Sequence, residues 1–132
     1  MSVTQQAAVT NLQELQQIER MGSQELDQLP FGAIRLDKDG NILSFNQHEA
    51  KLTGRDPGKV MGKNFFREVA PCTNVQEFAG KYREGVREGS LHEIFPYRFD
   101  FEMEPRDVTV TLFYSDQTKS GWVFVRESRT EG

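Results

Sequence analysis

Phe31-Gly32-Ala33-Ile34-Arg35-Leu36, Asp37-Lys38-Asp39-Gly40-Asn41 and Ile42-Leu43-Ser44-Phe45 read as strand, turn and strand. Aromatic and β-branched residues fill the flanks, and Asp39-Gly40 suits the tight connection between antiparallel strands, so the segment predicts a β-hairpin. Immediately downstream, Asn46 can cap a short helix through Glu49 and Leu52 that stops at Gly54, the residue best suited to a left-handed C-terminal position. Asp56-Pro57 reads as a second N-cap followed by proline at the first helical position, predicting one more turn to about Met61. Asn74-Val75-Gln76-Glu77 has the form of a capping box, and Val75, Phe78, Ala79, Tyr82 and Val86 mark one face of the longest helix, ending at Gly89.

Further on, Phe95, Tyr97, Phe99, Phe101 and Met103 alternate with polar residues, as a half-buried strand requires. Val108, Val110, Leu112 and Tyr114 alternate again, and Trp122-Val123-Phe124-Val125 forms a last strand after the Ser115 to Gly121 turn region. Two strands, helices and three strands, with hairpin and meander both needing antiparallel neighbours, predict an α+β domain: an antiparallel sheet of about five strands with helices on one face. Upstream of the hairpin, residues 1–28 are rich in Gln and Glu. They carry a thin stripe of Ala8, Leu12, Leu15, Ile18 and Met21, which predicts a weakly amphipathic helix covering a hydrophobic face or serving signalling. The expected division is a helical cap over 1–28, a core domain over 29–126 and a tail over 127–132.

At 132 residues the chain can bury one core without staples. A net charge of −4 and a pI near 5.2 argue against nucleic acid or an anionic membrane as partner. One cysteine cannot form an internal disulfide, and Ser2 to Gln6 lack the features of a secretory signal, so the expected location is the cytoplasm. No apolar run approaches the roughly 20 residues needed to span a bilayer.

Candidate chemistry centres on two residues. Cys72, in Val69-Ala70-Pro71-Cys72-Thr73, precedes a predicted helix start, where a thiol is either an available nucleophile or a buried apolar group. His48 and His92 sit in polar contexts that suit solvated side chains better than a base for that thiol, and zinc spacing is missing. Phe45, Glu49 and Leu52 can share a helix face, placing a carboxyl among apolar groups; pairing of an exposed Glu49 with Lys51 or Arg55 is the alternative.

From about Leu29 to Arg126 the chain resembles the photoactive yellow protein family, bacterial blue-light receptors with a PAS-type fold. The resemblance rests on Phe31-Gly32-Ala33-Ile34, Asp39-Gly40-Asn41-Ile42-Leu43, Thr53-Gly54-Arg55-Asp56-Pro57, Gly62-Lys63-Asn64-Phe65-Phe66, Val69-Ala70-Pro71-Cys72-Thr73 and Trp122-Val123-Phe124-Val125. It implies p-coumaric acid (4-hydroxycinnamic acid) joined to Cys72 as a thioester, with Glu49 the buried protonated acid hydrogen-bonded to its phenolate. By the same resemblance Thr53 supplies a supporting hydroxyl, Arg55 a gate over the pocket and Met103 a side chain that assists dark recovery. Ile34, Phe65, Val69, Ala70, Pro71, Thr73, Phe99 and Phe101 line the surroundings.

Two positions depart from the best-known members, which carry tyrosines where this chain has Phe45 and Phe101. The expected function is photoreception through isomerisation, proton transfer from Glu49 and partial unfolding, read by an unidentified downstream signalling protein, in a monomer or weak dimer that is not an enzyme. The competing reading is a PAS-type interaction module without chromophore. A flavin-binding sensor of the same broad fold needs cysteine where Phe65 stands, and a thiol redox sensor would leave Cys72 free of added mass.

Overall fold

A computed structural model describes residues 11–99 and 106–127. The hairpin forms as β1 (Gly32–Asp37) and β2 (Ile42–Phe45), with Gly40 at φ 92° taking the left-handed position of the turn. Three longer strands follow the helices: β3 (Ser90–Phe99), β4 (Arg106–Ser115) and β5 (Ser120–Glu127). The sheet is antiparallel throughout, in the order β2-β1-β5-β4-β3, so the last strand closes against the first and lies at the centre.

Each strand's two-residue alternation divides the apolar side chains between two cores. Ile34 and Leu36 of β1, Val110 and Leu112 of β4, and Val123 and Val125 of β5 face the main core, where Phe65, Phe66, Phe78 and Tyr82 pack against them. This side is covered by α3 (Gln47–Thr53), α4 (Pro57–Val60), α5 (Lys81–Glu88) and the irregular turns between them. The opposite side carries Ala33, Phe113, Trp122 and Phe124, covered by Leu15 and Ile18 of α1 (Leu12–Glu19) and Leu26 of α2 (Ser23–Leu26).

Several sequence-based expectations change in detail. Among the described residues the N-terminal segment holds two short helices, α1 and α2, broken at Arg20–Gly22, and Leu12 is 60% exposed although it belongs to the predicted stripe; Ala8 lies outside the described residues. The long helix expected from Asn74 begins as a π-helical turn, Gln76–Gly80, and becomes α-helical only at Lys81. Asn74 makes no capping box there: it closes the 3₁₀ turn Pro71–Thr73, and its Oδ1 accepts from Arg83 Nη2 at 2.9 Å. β3 starts earlier than the alternating pattern indicates, because Ser90–Ile94 pair in register with β4.

Candidate functional site

The site begins with Asn46. Its Oδ1 accepts from the Glu49 amide at 3.1 Å, capping α3, and from the Ala33 amide at 3.0 Å; its Nδ2 donates to the carbonyls of Leu26 (2.8 Å) and Phe31 (3.0 Å). One buried amide therefore ties α3 to β1 and to the N-terminal helices. Glu49 occupies the third helical position, from which a glutamate commonly reaches back to the capping residue's amide. Here the Asn46 amide already donates to the Ala33 carbonyl at 3.2 Å, so that partner is taken.

The Glu49 carboxyl turns inward instead. The residue is 0% exposed, and both carboxyl oxygens are buried with no hydrogen-bond partner among the described residues. Gly32 permits this placement, since a Cβ there would collide with Glu49 Oε1. Burial without a compensating cation or donor disfavours the ionised form and pushes the Glu49 pKa from 4.5 up to about 8. The exposed pairing with Lys51 or Arg55 is thereby replaced by a neutral acid in the protein interior.

Most of the apolar residues expected in the surroundings share one core. Ile34, Phe45, Phe65, Val69 and Phe99 belong to one continuous core cluster, with Ala70 and Cys72 packed against it. Phe45 is buried opposite Ile34 in the β1–β2 ladder. Asn64 shapes the next wall: its Oδ1 accepts from the Phe66 and Arg67 amides, initiating the π-helical turn Phe65–Val69. The chain then passes through Ala70 into the turn Pro71–Thr73, where Thr73 donates to the Ala70 carbonyl through both its amide (2.9 Å) and its hydroxyl (2.7 Å). Cys72, the central residue of that turn, is half-buried.

Thr53 donates its hydroxyl hydrogen to the Glu49 main-chain carbonyl at 2.9 Å and accepts from the Arg55 amide, so it fastens the end of α3. Arg55 is exposed, and its Nη2 donates to the Val69 carbonyl at 3.0 Å, bridging the α3–α4 connection to the wall carrying Phe65 and Val69. Phe101 and Met103 lie outside the described residues. His92 is exposed and stacks on Phe113 at 4.3 Å, while His48 is half-buried with a buried Nδ1 that has no hydrogen-bond partner among the described residues, less solvated than its neighbours in sequence suggest. Among the described residues no cluster of potential metal ligands forms, and no helix is long and apolar enough to cross a membrane.

Three contributors escape a reading of the sequence: the donor side of Asn46, the close approach of Gly32, and Tyr97. The Tyr97 hydroxyl donates to the Cys72 carbonyl at 2.6 Å, linking β3 to the turn. Tyrosine on the inward register of a strand, between Phe95 and Phe99, is the one available signal, because a buried hydroxyl needs a partner.

With this geometry in hand, comparison with known proteins gives a consistent result. A family model described as PAS fold matches residues 20–125. The photoactive yellow protein of Rhodothalassium salexigens is 48% identical over 106 residues, covering 80% of this chain and 85% of that relative. That of Halochromatium salexigens is 49% identical over 106 residues, with the same coverage of 80% and 85%. Among solved structures, the photoactive yellow protein domain of the sensor histidine kinase Ppr from Rhodospirillum centenum superposes with a TM-score of 0.81 at 43% identity, covering 85% of this chain and 98% of that one.

Proposed function

The chain belongs to the photoactive yellow protein family, within the PAS fold, and on that premise we propose that it is a blue-light photoreceptor carrying p-coumaric acid as a thioester on Cys72. Its role is that of a sensor and not of an enzyme. The observation that carries the reading is the Glu49 carboxyl: fully buried, unpartnered among the described residues and held neutral at pH 7. An apolar wall with one orphaned acid suits an aromatic anion, because only a neutral carboxyl can donate to a phenolate excluded from water.

When bound, the acyl group supplies visible absorption and a double bond that light isomerises. Cys72 would hold it through Sγ, the thiolate replacing the leaving group of an activated acid while the thiol proton goes to solvent. Glu49 holds a proton on its carboxyl in the dark and donates it as a hydrogen bond. Ile34, Phe65, Val69 and Phe99 keep water out, and Ala70, Pro71 and Thr73 form the turn presenting Cys72. Phe101 and Met103 are assigned to the pocket by resemblance alone. Arg55, whose Nη2 donates to the Val69 carbonyl, is assigned the gate over the pocket by resemblance, whereas the Thr53 hydroxyl supports α3 and thereby Glu49.

On illumination Glu49 would pass its carboxyl proton to the phenolate oxygen of the bound group, leaving a carboxylate that is fully buried and without a hydrogen-bond partner among the described residues. Such a charge costs several kcal/mol, a sizeable share of the roughly 5–15 kcal/mol that holds a small domain together. Relief comes from loosening the elements around Glu49. Asn46 connects the start of α3 to the Leu26 and Phe31 carbonyls, so strain at Glu49 reaches the N-terminal helices, whose thin apolar stripe makes them the first to release. A downstream signalling protein in the cytoplasm reads the exposed surface.

Mass spectrometry and a visible spectrum after treatment with activated p-coumaric acid test the assignment. The wild type gains the mass of one acyl group and a visible band, while Cys72→Ala folds but stays colourless. A wild type that gains no mass, or an alanine variant that becomes equally coloured, refutes it.

A further inference from the structure

The turn Pro71–Thr73 satisfies most of its own main chain. The Ala70, Pro71 and Thr73 carbonyls accept from the amides of Thr73, Asn74 and Val75. The Cys72 carbonyl is served differently, by the Tyr97 hydroxyl at 2.6 Å from a strand 25 residues away in sequence. A carbonyl at the end of a helical turn lacks its intrahelical partner, and here a distant side chain supplies one.

Tyr97 cannot easily choose another acceptor. Its ring makes edge contacts with Phe78 at 5.1 Å, Phe99 at 5.6 Å and Phe95 at 6.3 Å, which fix its plane. The half-buried residue also borders an open groove with Val75, Glu77, Lys81, Phe95 and Pro96, so water was an available partner for a hydroxyl turned outward. The hydroxyl points to the Cys72 carbonyl instead. Burial, reinforced by Cys72 and Glu77, raises the Tyr97 pKa and keeps the hydroxyl a donor.

We propose that Tyr97 is a positioning residue for the attachment cysteine, clamping the Cys72 main chain so that a group carried on Sγ keeps one bearing within the pocket. The proposal rests on the reading of Cys72 as the thioester site. Its physical content is preorganisation: a fixed Cys72 peptide confines light-driven rotation to the bound group, while a loose one lets the whole turn follow. Without the clamp the bound group samples several bearings toward Glu49, and the return to the dark state must first recover the productive one.

The single cysteine makes a direct test possible, because cysteine labelled with ¹³C at its carbonyl marks one position in the chain. In the unloaded protein, the labelled amide band of Tyr97→Phe is expected at higher frequency than in wild type, reflecting the lost hydrogen bond. Ile94→Ala, at an exposed position of the same strand outside the ring cluster, leaves that band in place. After loading, Tyr97→Phe is expected to gain the same mass as wild type, to show a broader visible band, and to recover in the dark about fivefold more slowly, the factor that one lost hydrogen bond typically commands. An unmoved labelled band in Tyr97→Phe overturns the clamp. A moved band with wild-type absorption width and recovery overturns the positioning role while leaving the thioester reading intact. A wild type that gains no mass sinks the thioester reading and the role of Tyr97 with it.

Discussion

Replacing Glu49 by glutamine tests the central feature of the site without the chromophore. The carboxyl is fully buried and its pKa rises from 4.5 to about 8 on folding. Below pH 4.5 both folded and unfolded chains hold the proton, and Glu49 imposes no ionisation penalty. Between pH 4.5 and 8 the folded chain keeps the proton and the unfolded chain has lost it, so stability falls as pH rises, by about 1.36 kcal/mol per pH unit. By pH 9 the penalty has reached its full value, on the order of 5 kcal/mol.

Glutamine cannot ionise. Its buried amide carries a pH-independent penalty of about 1–3 kcal/mol, so the diagnostic quantity is how the difference between variant and wild type changes with pH. Urea unfolding of the unloaded proteins, followed by the fluorescence of the one tryptophan, Trp122, gives that quantity. Relative to wild type, Glu49→Gln should gain about 3 kcal/mol between pH 6 and pH 9. Parallel stability profiles across that range would mean that Glu49 titrates like an ordinary exposed glutamate, and the account of the dark-state donor would fail.

Phe45→Tyr restores a hydroxyl beside the proposed phenolate, and excitation moves electron density away from that oxygen, so an added donor stabilises the ground state more than the excited one. The loaded variant should absorb further to the blue in a narrower band, and its phenol should titrate about 1–2 pH units lower, the equivalent of one charge-assisted hydrogen bond; a spectrophotometric titration that leaves both band and midpoint unchanged contradicts this. Asn46→Ala removes four buried hydrogen bonds linking α3, β1 and the N-terminal helices. It should lower stability by roughly 2–5 kcal/mol and, in the dark, speed proteolytic cleavage near α1 and α2 relative to the core strands. Cleavage at the wild-type rate would show that the N-terminal helices do not depend on Asn46.

Local chemistry is legible in the chain because it repeats over a few residues. Asn46 and Gly54 bracket α3, Asp56 and Pro57 open α4, and Asp39-Gly40 closes the hairpin, each where the residue's own conformational preference and hydrogen-bonding groups decide the matter. Alternation along Val108 to Tyr114 likewise marks which side chains face the main core. The capping-box pattern at Asn74 misleads because a competing turn at Pro71–Thr73 engages that residue first. Family motifs around Cys72 single out a thiol that residue type and spacing leave ambiguous.

Tertiary structure alone decides the state of Glu49. Helical spacing allows the carboxyl to face either inward or toward solvent. What turns it inward is the engagement of the Asn46 amide by Ala33, the missing side chain at Gly32, and the closing of the sheet by β5 between β1 and β4. The same holds for Tyr97, whose hydroxyl meets the Cys72 carbonyl only once β3 packs beside the turn. A pKa is a property of everything that surrounds a group, and residues far apart in sequence supply those surroundings only when the chain has folded.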